Sequence, residues 1–170
     1  MTGLMKPFRA AVVTVSDSCS QGERIDESGS ILEGLFAEAG AVTPVERRLV
    51  SDERREIAAT LKDLCTGPGA VDLVITTGGT GLSPRDVTPE ATLDVVDRQA
   101  PGFAEALRAA SLGITANAML SRAVSGIRGA TLIINFPGSP KACREAFAVV
   151  GPALGHALET LAGMGGQCAR

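Results

Sequence analysis

Three glycines within four residues, Gly78, Gly79 and Gly81, stand directly after the apolar run Asp72-Leu-Val-Ile75 and shortly before a segment of helix-forming composition, Ala91 to Val96. A short apolar run rich in branched side chains predicts a buried strand, and Pro89 just before the second segment predicts a helix start. The stretch between them, Thr76 to Glu90, is therefore a strand-to-helix turn of the kind found in a sheet covered by helices. Glycine allows positive φ and lets a ligand approach the backbone without a Cβ in the way. At the carboxyl end of a parallel strand the exposed peptide N–H groups of such a turn form an anion-binding nest.

The side chains of the turn extend this reading. Thr77 and Thr80 add hydroxyls beside the glycines. Arg85 offers a planar fork for phosphate, and Asp86, acceptor-only when ionised, suits a magnesium ion that bridges phosphates. Thr88-Pro89-Glu90 predicts a helix start, with Thr88 as the N-cap, Pro89 at the first helical position and Glu90 at the positive end of the dipole. The plainer alternative is a connector whose Arg85 and Asp86 form a surface ion pair contributing less than about 1 kcal/mol.

Phe8 to Ser16 has the composition of a central strand, with Asp17 at its end either as a functional carboxylate or as a turn initiator. Ser18 to Glu27 is polar and predicts a loop. Ser28 is a candidate cap for a helix to about Ala39, closed by Gly40. Val42 to Val50 predicts a strand, its early Pro44 marking either a strand start or an edge position. Ser51-Asp52-Glu53 opens a second helix, with Ser51 as cap and Ile57, Leu61 and Leu64 on its buried stripe. Asp52 then has two readings, a first-turn acid favoured by the dipole or a carboxylate directed into the same crevice as Asp86; periodicity alone puts the first ahead.

Pro101 to Leu112 predicts a helix. Met119 to Ile127, a turn at Arg128-Gly129 and the strand Thr131 to Phe136 predict a hairpin, so the sheet is expected to be mixed. Asn135-Phe-Pro-Gly-Ser-Pro-Lys141 repeats the first design: a buried strand, a Pro-Gly turn, and Pro140 starting a helix. Here Ser139 is a hydroxyl and candidate cap, and Lys141 is either a phosphate cation or a surface lysine. Gly151-Pro152 predicts a kink or break in the last helix, which runs to Leu161. His156, the single histidine, reads as packed or partly exposed, and Gly165 to Arg170 as a frayed end.

Composition narrows the function. With 170 residues and 45% hydrophobic content the chain is expected to form one domain spanning residues 1–170. A net charge of -3 without clustered basic residues argues against a nucleic-acid surface, and the lack of Trp and Tyr removes a stacking platform for bases. Cys19, Cys65, Cys143 and Cys168 make no Cys-x-x-Cys pair, which leaves zinc or redox motifs without support. Met1 to Pro7 has no signal-peptide core and no stretch has membrane-span length, so the expected location is the cytoplasm.

The two turn motifs, with Thr14-Val-Ser-Asp17, Ser51-Asp-Glu53 and Met119-Leu-Ser-Arg-Ala-Val-Ser-Gly-Ile-Arg-Gly129, resemble the molybdopterin adenylyltransferase family, which includes the bacterial MogA and MoaB proteins and the gephyrin G domain. The resemblance runs from about Val12 to Leu161. It implies an α/β fold, a three-layer α/β/α sandwich with a mostly parallel mixed sheet, and a homotrimer. It also implies an enzyme that uses Mg-ATP to adenylylate the terminal phosphate of molybdopterin and release pyrophosphate, with no tightly bound cofactor, before a separate molybdenum insertase acts. On matching positions Asp52 and Asp86 become the catalytic or magnesium-positioning carboxylates, which reverses the dipole preference for Asp52. Gly78 to Gly81 become the phosphate-binding turn, and Asp17 and Ser121 become pocket residues. The candidate binding set is completed by Ser16, Thr77, Thr80, Ser83, Arg85, Thr88 and Glu90 around the first corner and by Asn135, Pro137, Gly138, Ser139 and Lys141 around the second. Ser51 departs from relatives, which often carry Pro there. Two alternatives remain: a pterin-binding or carrier paralogue without turnover, and a nucleotide hydrolase of the same fold, whose expected acidic glycine-rich loop differs from the one here.

Overall fold

The computed structural model describes residues 8–40 and 42–164. Expectations for Met1 to Pro7, Cys168 and the frayed end at Gly165 to Arg170 lie outside the described residues. In chain order the elements are β1 (Phe8–Val15), α1 (Asp17–Ser20), α2 (Glu27–Ala39), β2 (Val42–Val50), α3 (Arg54–Leu64), β3 (Leu73–Thr77), α4 (Thr88–Leu93), β4 (Arg98–Gln99), α5 (Gly102–Leu112), a 3-10 segment (Ala116–Leu120), β5 (Ser125–Arg128), β6 (Thr131–Phe136) and α6 (Pro140–Leu161).

The strands form one sheet in the order β2-β1-β3-β6-β5-β4. The pairings β2-β1, β1-β3 and β3-β6 are parallel, and β6-β5 and β5-β4 are antiparallel. The expected mostly parallel mixed sheet is present. Strand side chains alternate between faces, and here both faces are apolar. Ala10, Val12, Leu73, Ile75, Leu132 and Ile134 meet α2, α5 and α6 on one side, while Ala11, Val13, Val74 and Ile133 meet α3 and α4 on the other. That double burial explains why β1, β3 and β6 are near-continuous apolar runs. From β1 the chain moves out to β2 and then back across to β3, so the strand order reverses between β1 and β3. A crevice at such a reversal, beyond the carboxyl ends of the strands, is where sheets of this type bind ligands.

Several local expectations change. Asp26, not Ser28, caps α2, accepting from Gly29 N–H at 2.8 Å. The expected loop after β1 contains α1, whose cap is Ser16, accepting from Cys19 N–H at 3.2 Å. Ser51 does not cap α3; that position falls to Glu53, with no side-chain cap bond, while the Ser51 hydroxyl donates to Glu56. Met119 to Ile127 is not one strand, because its first residues coil in the 3-10 segment and only Ser125–Arg128 pairs with β6. The break expected at Gly151-Pro152 is absent, and α6 is one helix. Pro152 and Ala148, whose carbonyl loses its helical partner, are both on the exposed side. Water can serve that carbonyl, while the stripe Cys143, Ala146, Val150, Leu154 and Leu158 stays buried.

Candidate active site

The four parallel strands all end at one rim. Ser16 N–H donates to the Val50 carbonyl at 2.9 Å, which joins the ends of β1 and β2. One residue further on, two carboxylates exchange backbone bonds: Asp17 N–H donates to Asp52 Oδ2 at 2.8 Å, and Asp52 N–H donates to Asp17 Oδ1 at 2.9 Å. The strand-end acids thus hold one another's backbones in place.

β3 enters the glycine turn beside them. Gly78 has φ +99° and Gly79 φ +65°, the left-handed region that favours glycine. A Cβ on Gly78 would lie 2.3 Å from the Val15 carbonyl oxygen, and one on Gly79 would lie 2.4 Å from Thr88 Oγ1 and 3.3 Å from Asp52 Oδ1. The sequence expectation holds for these two positions and for a different reason at Gly81, whose φ is not positive; there a Cβ would meet Asp86 Oδ2 at 2.9 Å. Thr88 is not the cap of α4, a position taken by Val87. Its hydroxyl is instead spent on the Gly78 carbonyl at 2.9 Å, and its N–H on the Gly79 carbonyl at 3.1 Å. Thr77 is buried and donates to the Pro137 carbonyl at 2.8 Å, tying the first corner to the second.

The second corner lies directly against the first. A Cβ on Gly138 would stand 3.2 Å from the Gly78 Cα. Ser139 caps α6 by accepting from Ala142 N–H at 3.1 Å, with Pro140 in the first turn as expected. Asn135 is fully buried, and its amide is committed to the protein: Nδ2 donates to Thr76 and Thr92 hydroxyls at 2.9 Å each, and Oδ1 accepts from Val124 N–H at 3.2 Å. Thr77, Thr88 and Asn135 therefore shape the rim from beneath. Lys141 is exposed and stands 3.8 Å from Glu145.

Charge is concentrated where the corners meet. Burial pushes the Asp52 carboxyl up; the Asp17 N–H and Arg85 oppose that, while the negative charges of Asp17 and Asp86 add to it. Asp86 is thus near enough to Asp52 to add to that upward push. Asp86 is oriented by its own loop, Oδ2 accepting from Ser83 N–H at 2.9 Å. Arg85 spans the opening, with Nε and Nη2 on Asp17 at 2.8 to 3.1 Å and Nη1 on Glu53 at 2.7 Å. The Asp52 N–H and then Arg85 hold the Asp17 carboxyl below the ordinary range.

Two cavities flank the corners. One, of about 190 Å³, lies under α5 and the 3-10 segment and includes Leu107, Asn117, Ser121 and Pro137 in its wall. The other, of about 200 Å³, lies between α1, the start of α2 and the glycine turn, and includes Ser16, Asp26, Gly78 and Gly138. Each holds several times the ~30 Å³ share of a water molecule, room for a ring or a phosphate. Asp26, Asn117 and Arg122 are site neighbours that the sequence reading left aside. An Asp directly before a helix signals a cap, but neither Asn117 nor Arg122 carries a local signal apart from the latter's place in the Met119 to Gly129 motif.

No helix among the described residues is long and apolar enough to cross a membrane. Comparison with known proteins bears on what this arrangement serves. A molybdopterin adenylyltransferase from Haemophilus influenzae is 46% identical over 147 residues, covering 85% of this chain and 72% of that protein. One from Helicobacter pylori is 40% identical over 161 residues, covering 94% and 90%. The crystal structure of a molybdopterin biosynthesis protein from Mycobacterium abscessus superposes with a TM-score of 0.85 at 40% identity, covering 92% of this chain and 98% of the other. The model of the probable molybdopterin binding domain matches residues 11–156, a span that begins inside β1 and takes in both glycine corners, and to that family this chain belongs.

Proposed function

We propose that this chain is a molybdopterin adenylyltransferase, joining the adenylyl group of ATP to the terminal phosphate of molybdopterin with release of pyrophosphate. The observation that carries the reading is the pair of abutting corners, with one cavity reaching Pro137 and the other Gly78 and Gly138, and with Asp52 against Gly79 and Asp86 against Gly81 of the glycine turn. A transfer between two phosphate-bearing substrates needs two seats with their phosphates converging on one point, and it gains chiefly from positioning and from neutralising charge. The glycine turn offers backbone N–H groups at that point, and the cavities give each substrate its own wall.

An oxygen of the pterin phosphate attacks the α-phosphorus of ATP in line. The new P–O bond forms as the bond to the β-phosphate oxygen breaks, and that oxygen leaves with pyrophosphate. No protein nucleophile is required. Burial pushes the Cys143 thiol up, and its Sγ is already engaged with the Pro137 carbonyl at 3.1 Å, which fits a structural role.

The donor set suits magnesium, which binds through one or two carboxylates and completes its shell with waters and substrate phosphates. Asp52 and Asp86 each commit only Oδ2 to a backbone N–H, so Oδ1 of each is free for the ion. When bound, the ion offsets phosphate charge. Asp52 and Asp86 set where it sits, and Arg85 holds Asp17 and Glu53 beside them. The same reading includes a homotrimer in the cytoplasm that hands its product to a separate molybdenum insertase.

Incubation with Mg-ATP and molybdopterin is expected to yield adenylylated pterin and pyrophosphate in equal amounts. Asp86→Asn is expected to lose turnover while still binding pterin. A wild-type protein that binds pterin without product would make it a carrier paralogue, and wild-type turnover by Asp86→Asn would refute the carboxylate's role.

A further inference from the structure

The motif Met119 to Gly129 contains an arginine that the reading above leaves unused. Arg122 follows Ser121, a wall residue of the cavity under α5, yet its side chain crosses to the glycine turn. Its own N–H donates to the Thr80 carbonyl at 2.9 Å. Nε donates to the Gly81 carbonyl at 2.7 Å, Nη2 donates to the Asp86 carbonyl, and Nη1 pairs with the Glu90 carboxylate. One guanidinium therefore closes both ends of the segment from Gly81 to Asp86 and anchors it to the first turn of α4.

Between those ends the segment's one other hold outside the loop, among the described residues, is the Arg85 guanidinium on Asp17 and Glu53, at the tip of a long side chain, while the backbone bonds only within the loop. The segment runs through exposed residues from Leu82 to Arg85, with internal bonds from Asp86 N–H to the Ser83 carbonyl and from Ser83 N–H to Asp86 Oδ2, each 2.9 Å. Asp86 folds back over Gly81, the residue whose carbonyl Arg122 holds. The position of the Asp86 carboxylate thus follows from where the two gripped carbonyls stand. A planar fork can satisfy three acceptors in fixed relative directions, whereas an ammonium on a flexible stem cannot.

We propose that Arg122 is the positioning residue of this site: by gripping the Gly81 and Asp86 carbonyls and the Glu90 carboxylate together, it sets the Asp86 carboxylate relative to Asp52. The proposal rests on the adenylyltransferase reading for its kinetic consequence but not for its structural one. Because Arg122 continues directly from Ser121, the same stretch of chain links the wall of the cavity under α5 to the loop that carries the Asp86 carboxylate.

The test is Arg122→Lys, which keeps the charge opposite Glu90 and loses the fork. Hydrogen exchange of the full chain is expected to speed up at least tenfold at the Ser83 and Asp86 amides, with the Thr88 amide, bonded to Gly79, unchanged. The melting temperature is expected to stay within a few degrees of wild type. In turnover with Mg-ATP and molybdopterin, kcat is expected to fall about 10- to 100-fold, as for a group displaced by up to about 1 Å, while KM for molybdopterin stays within about twofold. A purely structural role would instead lower the melting temperature and speed exchange throughout the chain. Unchanged exchange at Ser83 and Asp86, or exchange raised everywhere alike, would overturn the proposal. Wild-type kcat alongside loosened amides would overturn it too. If the wild-type protein itself makes no product, the adenylyltransferase reading fails, and the exchange comparison still decides whether Arg122 holds the segment.

Discussion

Gly138→Ala tests whether the contact between the two corners sets the site. The added methyl would stand 3.2 Å from the Gly78 Cα, against about 3.5 to 4.0 Å for carbon atoms at their optimum, so one corner must recede by a few tenths of an ångström. Overpacking of this kind costs about 1 kcal/mol at its low end, and a single crowded contact belongs there. Gly138 is not in the left-handed region, so Ala adds no backbone strain and reduces the freedom of the unfolded chain, a gain of about 0.4 to 1 kcal/mol. The net loss should stay below about 1 kcal/mol, or about 2 to 4 °C in melting temperature for a chain of this size. Activity should suffer more. If a 1 Å misplacement costs about 100-fold, a recession of 0.3 to 0.5 Å costs about 4- to 10-fold in kcat/KM. Calorimetry and pyrophosphate release measured on one preparation separate the two effects. Undiminished kcat/KM would refute the reasoning, since the corners would then part without consequence for catalysis.

Three further outcomes are expected. Gly155→Ala, at a helical position in α6 where a Cβ would meet nothing within 4 Å, should raise stability by about 0.5 to 1 kcal/mol in thermal melts and leave turnover unchanged. Asp52 is raised by burial first, so its native carboxyl binds a proton more readily than the unfolded one. Its ionised form is then a cost to the fold, fully present above the native value and vanishing as pH falls below the ordinary carboxylate range. Asp52→Asn should therefore melt at or above wild type at pH 7, with the gap closing in acid, and lose turnover; a lower melting temperature at pH 7 would contradict the sign. For Asp26, burial alone would push the carboxyl up, but Arg47, the Gly29 N–H and Thr14 together pull it below the ordinary range. Its contribution is present above about pH 4 and is lost as pH falls through the native value, so Asp26→Ala should cost about 1 to 2 kcal/mol at pH 7 and flatten the acid limb of the stability curve.

What the sequence made legible follows from which signals are local. β1, β3 and β6 are readable because strands buried on both faces must be apolar throughout, and the two corners because glycine and proline act on the backbone they occupy. Helix starts are harder to place. Ser51, Ser28 and Thr88 each have a hydroxyl able to cap, but Glu56 takes the first, Asp26 stands earlier in the chain than the second, and the Gly78 carbonyl takes the third. Met119 to Ile127 has the alternation of a strand, yet the stretch between the 3-10 segment and β5 is held by partners distant in sequence, Arg122 on the glycine turn and Arg108 on the Ala123 carbonyl at 2.7 Å. Asp52 could be separated from an ordinary first-turn acid only by resemblance, because its partner Asp17 lies 35 positions away. A single sequence does not reveal such a pairing.

The two flanks of the sheet are closed to growth. One is β4, only two residues long, too short to template another chain. The other is β2, where Arg47 reaches over to Asp26 and Glu33, and Arg48 to Glu46 and Asp63, so that a strand approaching from outside would meet a row of charged side chains already tied to their own molecule. Both edges thus work against pairing of the sheet with a strand from a second copy.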